Sequence, residues 1–294
     1  MKNIGFASYH PAVNALYLTV ILIFSIALQH PVCRLLSLVG ALCWCSVVLK
    51  EKTKRSLCFL LLPMSALAVV INPAFSHAGV TILAYLPSGN PLTLESVYYG
   101  LSMALMLAGV VLWTACMHAV LTADKLHCLA GKAAPSLSLL LSLSLRFVPR
   151  FGAQLRQVSL AQQGIGQGLK QKTKRQQLQN GGRILAILLT WSLENAIETA
   201  ESMKSRGHGS GSRSAFSLYR ITERDSTAIA IIAAAAAFLL LMAAHGDFYW
   251  RYYPQCQGGG FDLWSACSFL VYGLFCMLPW LVDRWEEKAW NSIA

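Results

Sequence analysis

Few side chains in this 294-residue sequence are of a type and spacing that could do chemistry, and the most suggestive fall between Arg183 and Arg206. There Ile184, Ile187, Leu188, Trp191 and Asn195 form one stripe at helical spacing, while Glu194, Glu198 and Glu201 form another at i, i+4 and i+7. The pattern stops at Ser205-Arg206-Gly207-His208-Gly209-Ser210-Gly211. A cation in the last turn complements the helix dipole for roughly 0.3–1 kcal/mol, and glycine just beyond is the preferred left-handed cap, so Arg206-Gly207 reads first as a helix terminator. The other reading is that this end projects a guanidinium from a rigid rod; its five donors in a fixed fork suit a carboxylate or carbonyl groove on a partner protein. Catalysis finds little support. No phosphate loop of the form G-x-x-x-x-G-K-S/T occurs, so the chain should not hydrolyse ATP itself. The nine cysteines lie mostly inside apolar runs, as Cys43, Cys45, Cys116, Cys267 and Cys276 do, with no C-x-x-C pair and no Cys-His cluster at metal spacing; they read as apolar filler. His118 and His245 sit near the ends of apolar runs and read as interfacial.

The elements that must position these residues follow from composition. Hydrophobic residues make up 55% of the chain and charged ones 13%, with a mean hydropathy of +0.51, whereas a soluble domain carries about 25% charged residues. The chain reads as an all-α integral membrane protein. A helix crossing the hydrocarbon needs about 20 apolar residues, with roughly 17–25 tolerated. Six runs qualify: Ala12–Leu28, Leu35–Leu49, Ser56–Ile71, Val97–Leu121, Ala228–Ala244 and Phe261–Val282. The second is short unless it takes in the residues just before it, with Arg34 reaching out to the interface. The first has one Lys and a His-Pro pair ahead of it and no A-x-A pattern after it, so it reads as a retained helix rather than a secretory signal. The interiors of the runs hold no Asp, Glu, Lys or Arg, which weighs against a proton-relay or ion-coupled carrier.

Charge gives the orientation. Lys50–Arg55 carries four cations in six residues and Asn72–Ser96 carries none, which places the first segment inside and the second outside. Counting on, Thr122–Ser226 is cytoplasmic, Gly246–Gly260 is external with a single Arg251, and both termini are on the cytoplasmic side. The 105 residues Thr122–Ser226 hold 15 of the 24 cations and 6 of the 13 acids, a net +9 of the total +11. The chain therefore divides into membrane helices over 1–121, a cytoplasmic region over 122–226 and further membrane helices over 227–294.

That region is patterned for helices. Pro135 opens a leucine-rich run that Pro149 should break or sharply kink. A second helix is expected from Pro149 to about Gln163, ended by Gly164, Gly166 and Gly168, and a third from Arg183 to Arg206. Lys170, Lys172, Lys174 and Arg175 read as a solvated loop beside anionic headgroups or as a direct partner contact. Gly100, Ala104 and Ala108, and Ala230, Ala233, Ala234 and Ala237, are small-residue faces suited to internal packing or to a membrane partner.

At this point the residues resemble a known family, the transmembrane T component of energy-coupling factor transporters. The resemblance rests on Ser8-Tyr9-His10-Pro11-Ala12-Val13-Asn14, Ile71-Asn72-Pro73-Ala74-Phe75, Ser88-Gly89-Asn90-Pro91-Leu92-Thr93-Leu94-Glu95 and Leu145-Arg146-Phe147-Val148-Pro149-Arg150. Most specific is Trp191-Ser192-Leu193-Glu194-Asn195-Ala196-Ile197-Glu198-Thr199-Ala200-Glu201-Ser202-Met203-Lys204-Ser205-Arg206-Gly207. It implies a scaffold whose cytoplasmic coupling helices end in two small-residue-Arg-Gly motifs, each seated in a groove of one of two ATP-binding cassette subunits, with ATP and Mg bound by those subunits and no cofactor on this chain. A separate substrate-specific membrane subunit would carry the vitamin or metal ion. Ser205-Arg206-Gly207 matches the second motif; the first falls on Gly164-Ile165-Gly166, where Ile165 replaces the arginine and a packing contact is expected instead. A stand-alone carrier or enzyme binding an anionic substrate at the basic cytoplasmic face is the competing reading.

Overall fold

The computed structural model describes residues 5–85, 91–122, 124–126, 128–129, 135–169, 173–208, 210, 219–259 and 262–292. Each of the six apolar runs is a helix: α1 (Pro11–Ala27), α2 (Pro31–Val48), α3 (Glu51–Phe75), α4 (Leu94–Val120), α7 (Glu223–His245) and α8 (Leu263–Asn291). Between α4 and α7 lie two further long helices, α5 (Pro135–Gly164) and α6 (Lys174–Ser205). Among the described residues, five helices are long and apolar enough to cross a membrane, namely α2, α3, α4, α7 and α8, and α1 is a shorter apolar helix. Two short antiparallel ribbons complete the fold: β1 (Ile82–Tyr85) with β2 (Pro91–Thr93), and β3 (Trp250–Arg251) with β4 (Gln257–Gly258).

The chain forms two compact units, one of Met1–Lys125 with Tyr219–Ala294 and one of Leu126–Leu218. In the first, α2 packs on α4 and α8, and α4 packs on α3. Lipid gives helices no hydrophobic reason to associate, so close approach and buried polar contacts must hold them. Gly40 supplies the approach of α2 to α8: a Cβ there would lie 2.8 Å from the Cys276 Cβ and carbonyl oxygen. Gly100 does the same for α4 on α3, beside the Val69 carbonyl at 3.1 Å, and Ala104 is buried next to it. This small-residue face is therefore used inside the subunit, whereas Ala230, Ala233, Ala234 and Ala237 stay exposed on α7. The polar contacts are Trp113 Nε1 donating to Ser37 Oγ at 3.1 Å, the Ser25–Ser37 hydroxyl pair at 2.7 Å, and Tyr17 Oη donating to the Phe275 carbonyl at 2.8 Å. Around them Phe6, Tyr17, Trp44, Trp113 and Phe275 make an aromatic core with centroids 5.0–6.2 Å apart. Cys33, Cys45, Cys116 and Cys276 fill the remaining space as buried thiols. Large apolar side chains such as Phe59 (82% exposed) and Leu270 (68%) face outward, as suits a surface covered by lipid.

Three expectations are corrected. Arg34 does not extend outward from the helix: it is buried in the first turn of α2 and donates to Ser102 Oγ, which also bonds the Tyr252 hydroxyl. Tyr252 in turn donates to the Gln29 carbonyl at 3.0 Å, so the segment between α7 and α8 covers this end of α2 and offers the guanidinium protein acceptors. Pro149 does not end a helix; α5 runs through it. The proline forfeits one backbone hydrogen bond, and Phe151 and Val158 beyond it gain packing against α6. Finally, α6 begins at Lys174 rather than Arg183 and takes Gly181 and Gly182 into its interior. Asn180 Nδ2 donating to the Gly168 carbonyl at 3.0 Å fastens that early turn to the end of α5.

Gly40 of α2 and Gly109 of α4 separate a tight interhelical site from a loose one. Gly40→Ala should destabilise the protein by about 1–3 kcal/mol through overpacking, whereas Gly109→Ala, whose nearest neighbour would be Ser37 Oγ at 3.8 Å, should be tolerated. Thermal unfolding midpoints of the two variants in detergent check this.

Candidate functional site

The unit Leu126–Leu218 contains an antiparallel hairpin of α5 and α6. The Phe151 ring stands edge-on to Trp191 at 5.7 Å, and Val158 packs with Ile184 and Leu188. These pairings place the end of α5 beside the beginning of α6, where Arg183 also bonds the Gln167 side chain. From Arg183 the opposite end of α6, Ser205, is 22 residues further along, roughly 33 Å at the helical rise of 1.5 Å per residue. The two helix C-termini thus point in opposite directions along the hairpin.

The two ends close in the same way. At α5, Gly166 N–H donates to Gln163 O at 3.0 Å and Gln167 N–H to Gln162 O at 2.8 Å; at α6, Gly207 N–H donates to Lys204 O at 3.0 Å and His208 N–H to Met203 O at 3.0 Å. Both are Schellman caps, with the 6→1 and 5→2 bonds that satisfy the last carbonyls of a helix. Both need a left-handed residue, and both have glycine there, Gly166 at φ +77° and Gly207 at φ +79°. Residue by residue, Gly164-Ile165-Gly166 superposes in role on Ser205-Arg206-Gly207, so Ile165 and Arg206 occupy the same C-cap position. All six residues are exposed, Ile165 by 64%. Among the described residues the Arg206 guanidinium makes no hydrogen bond or ion pair.

The hairpin is also two-faced. At 100° per residue, the exposed Leu141, Leu145, Val148 and Leu155 of α5 and Leu178, Leu185 and Leu189 of α6 fall on one side of the packing seam. Arg146, Arg150, Arg183, Glu194, Glu198 and Glu201 fall on the other, and all six are exposed. The acidic row read from the sequence therefore lies on a polar face shared with arginines from both helices.

The remaining expectations fall as follows. Lys174 and Arg175 are exposed in the first turn of α6, and Lys170, Lys172 and Ser88-Gly89-Asn90 lie outside the described residues. His118 is exposed near the end of α4, and His245 Nδ1 lies 3.2 Å from Asp247 Oδ1. Among the described residues no group of three or more His, Cys, Asp or Glu is placed to hold a metal ion. Sequence reasoning passed over Lys125, Asp225 and Asp283, which are buried near helix ends; the available signal was an ionisable residue within a few positions of an apolar run.

Together these features define a multi-pass helical membrane protein bearing a helical hairpin with two exposed, identically capped ends. A family profile described as CbiQ, cobalt transport protein, matches residues 7–218, from the turn before α1 to the end of the hairpin unit. The chain belongs to this family and is a membrane component of a transport complex. No curated protein sequence matches it significantly.

The cap distinguishes two glycines at the end of α5, Gly164 and Gly166. Gly166→Ala forces a Cβ into the left-handed region and should destabilise the hairpin end by roughly 1–2 kcal/mol. Gly164→Ala, on the last helical residue with open space around it, should stabilise it by about 0.5–1 kcal/mol. Amide exchange of residues 160–169 reads both signs.

Proposed function

We propose that this chain is the non-catalytic transmembrane scaffold of an energy-coupling-factor-type importer, transmitting the ATP-driven motion of two ATPase subunits to a substrate-binding membrane subunit. The observation that carries the reading is the pair of matched caps. Two exposed ends of one rigid hairpin, far apart and built alike, suit docking to two copies of one kind of partner. The ATPases would bind ATP and Mg; this chain has no phosphate loop with which to do so. The cation-rich segments orient the protein in a bacterial plasma membrane with both termini and the hairpin in the cytoplasm. The cargo is a vitamin or metal ion, cobalt being the ion in the family's description, and selectivity belongs to the separate membrane subunit.

The two ends then work differently. Arg206 offers charge-assisted hydrogen bonds to acceptors in an ATPase groove; Ile165, at the equivalent position, offers only apolar packing. The polar face of the hairpin, with Arg146, Arg150, Glu194 and Glu198, adds charge complementarity that steers encounter.

Purification of the tagged protein should bring down nucleotide-binding subunits; isolation as an active single subunit would favour the stand-alone carrier instead. Arg206→Ala should remove roughly 1.5–3 kcal/mol of association, lowering ATPase co-purification and uptake together, and Ile165→Ala should cost less. An Arg206→Ala complex that assembles and transports normally would reject the docking role.

A further inference from the structure

The chain leaves the membrane unit after Lys125 and re-enters it at Tyr219, so these crossings are the covalent path between the hairpin and the membrane helices. Both are fastened to one short segment before and within the start of α1. Lys125 Nζ donates to the Ala7 carbonyl at 2.6 Å. It also donates to the Asn14 side-chain oxygen at 3.0 Å, in the amide orientation that lets Asn14 donate to the Phe6 carbonyl at 2.9 Å. At the return crossing, Asp225 accepts from the His10 amide at 2.9 Å and closes a capping box with Thr222. Tyr219 stands edge-on to the His10 ring at 6.5 Å. Arg224 lies 4.1 Å above the Tyr9 ring and pairs with Glu286 of α8.

The segment is sunk into the membrane unit. Phe6 is buried between Tyr17 and Trp44. Asp283 of α8 takes the Phe6 amide at 2.6 Å and Trp44 Nε1 at 3.0 Å, and Glu286 takes the Gly5 amide at 2.6 Å. Lys125, Asp225 and Asp283 are each less than a tenth exposed, and burial pushes the pKa of the Lys125 ammonium down. Buried charges of this kind are strongly disfavoured without their partners, so the arrangement has little freedom to slide. Capping α1 needs only the His10 Nδ1 acceptor, which takes the Ala12 amide at 3.1 Å. The further bonds tie α2, α7, α8 and both crossings to the same few residues.

We propose that Gly5–Asn14, held by Lys125 and Asp225, is the joint that carries displacement of the hairpin into the membrane helices, with Lys125 and Asp225 as positioning residues. This rests on the coupling role proposed above.

The test uses the full chain in complex with the ATPase subunits that co-purify with it, read by amide hydrogen exchange with and without ATP and Mg2+. In the wild type, nucleotide should change exchange in the hairpin and at residues 5–14, each by about threefold or more. Lys125→Met and Asp225→Ala should keep ATP hydrolysis and the hairpin response within about twofold of wild type while losing the response at residues 5–14 and in the last turns of α8. Lys125→Arg should restore it. If the response persists in both variants, or if assembly and hydrolysis fall in proportion to it, the joint is overturned. A wild-type hairpin that responds while residues 5–14 do not overturns it as well and leaves the coupling role standing; this arm decides the matter should a variant fail to fold. A hairpin indifferent to nucleotide, or no co-purifying ATPase, removes the coupling role and the joint together.

Discussion

Backbone N–H and carbonyl groups at a helix end have no partner within the helix, and hydrocarbon supplies none, so the closing of helix ends constrains everything else in this chain. Four of the membrane helices, α1, α2, α7 and α8, close their N-termini with side chains. α1 and α2 both begin at a His-Pro pair: proline arrives with helical φ and no N–H to satisfy, and the histidine Nδ1 accepts the amide two residues on, at 3.1 and 3.3 Å. α7 and α8 use reciprocal boxes, Thr222 with Asp225 and Asp262 with Ser265. The hairpin helices close their C-termini with backbone alone, through glycine. A cap built from backbone leaves the C-cap side chain uncommitted, and that is the position Arg206 and Ile165 hold. The local device that ends the helix is therefore also what presents a side chain outward.

The same economy explains where the buried charges sit. A carboxylate that accepts several backbone or indole N–H groups is worth roughly 1.5–3 kcal/mol per bond, and Asp283 and Asp225 each serve more than one donor from different segments. Arg34 achieves the equivalent at the other end of α2 through Ser102 and Tyr252. In each case a polar cluster near a helix end ties helices that lipid gives no reason to associate, while the middle of the bundle adds aromatic packing, glycine contacts and the hydrogen bonds of Tyr17, Ser25, Ser37 and Trp113.

This division also decides what the sequence could tell. The six apolar helices, five of them long enough to span, were legible because hydropathy is a sum over about 20 residues and tolerates local exceptions. The caps of α5 and α6 were legible because Gly166 and Gly207 are required by backbone geometry close by in sequence. The start of α6 was not, since its early turn is held by Asn180 reaching back to Gly168, and tertiary bracing overrides the low helix propensity of Gly181 and Gly182. Continuity through Pro149 depends on packing against a helix that begins 25 residues later. Arg34 was misread because one of its partners lies 68 residues away and nothing local marks the burial. Lys125 is tied to Ala7 across 118 residues, beyond the reach of any periodicity.

The matched caps present different side chains, isoleucine at 165 and arginine at 206. Fully burying a whole isoleucine side chain is worth about 1.5–3 kcal/mol, and Ile165→Ala removes only the part beyond Cβ, so an apolar plug at Ile165 is the weaker contact of the two without being negligible. The two contacts differ in kind: a forked donor fixes the orientation of its acceptor, whereas apolar packing is non-directional and tolerates rotation. If the ends engage two partners, the Arg206 end sets a fixed angle and the Ile165 end permits a pivot. A hairpin whose length does not change can then follow two moving partners without both contacts being strained at once. Rigidity is still required between the two points, and Phe151, Val158, Ile184, Leu188 and Trp191 supply it. The asymmetry is thus compatible with a device that must remain attached at both ends while the angle between them changes.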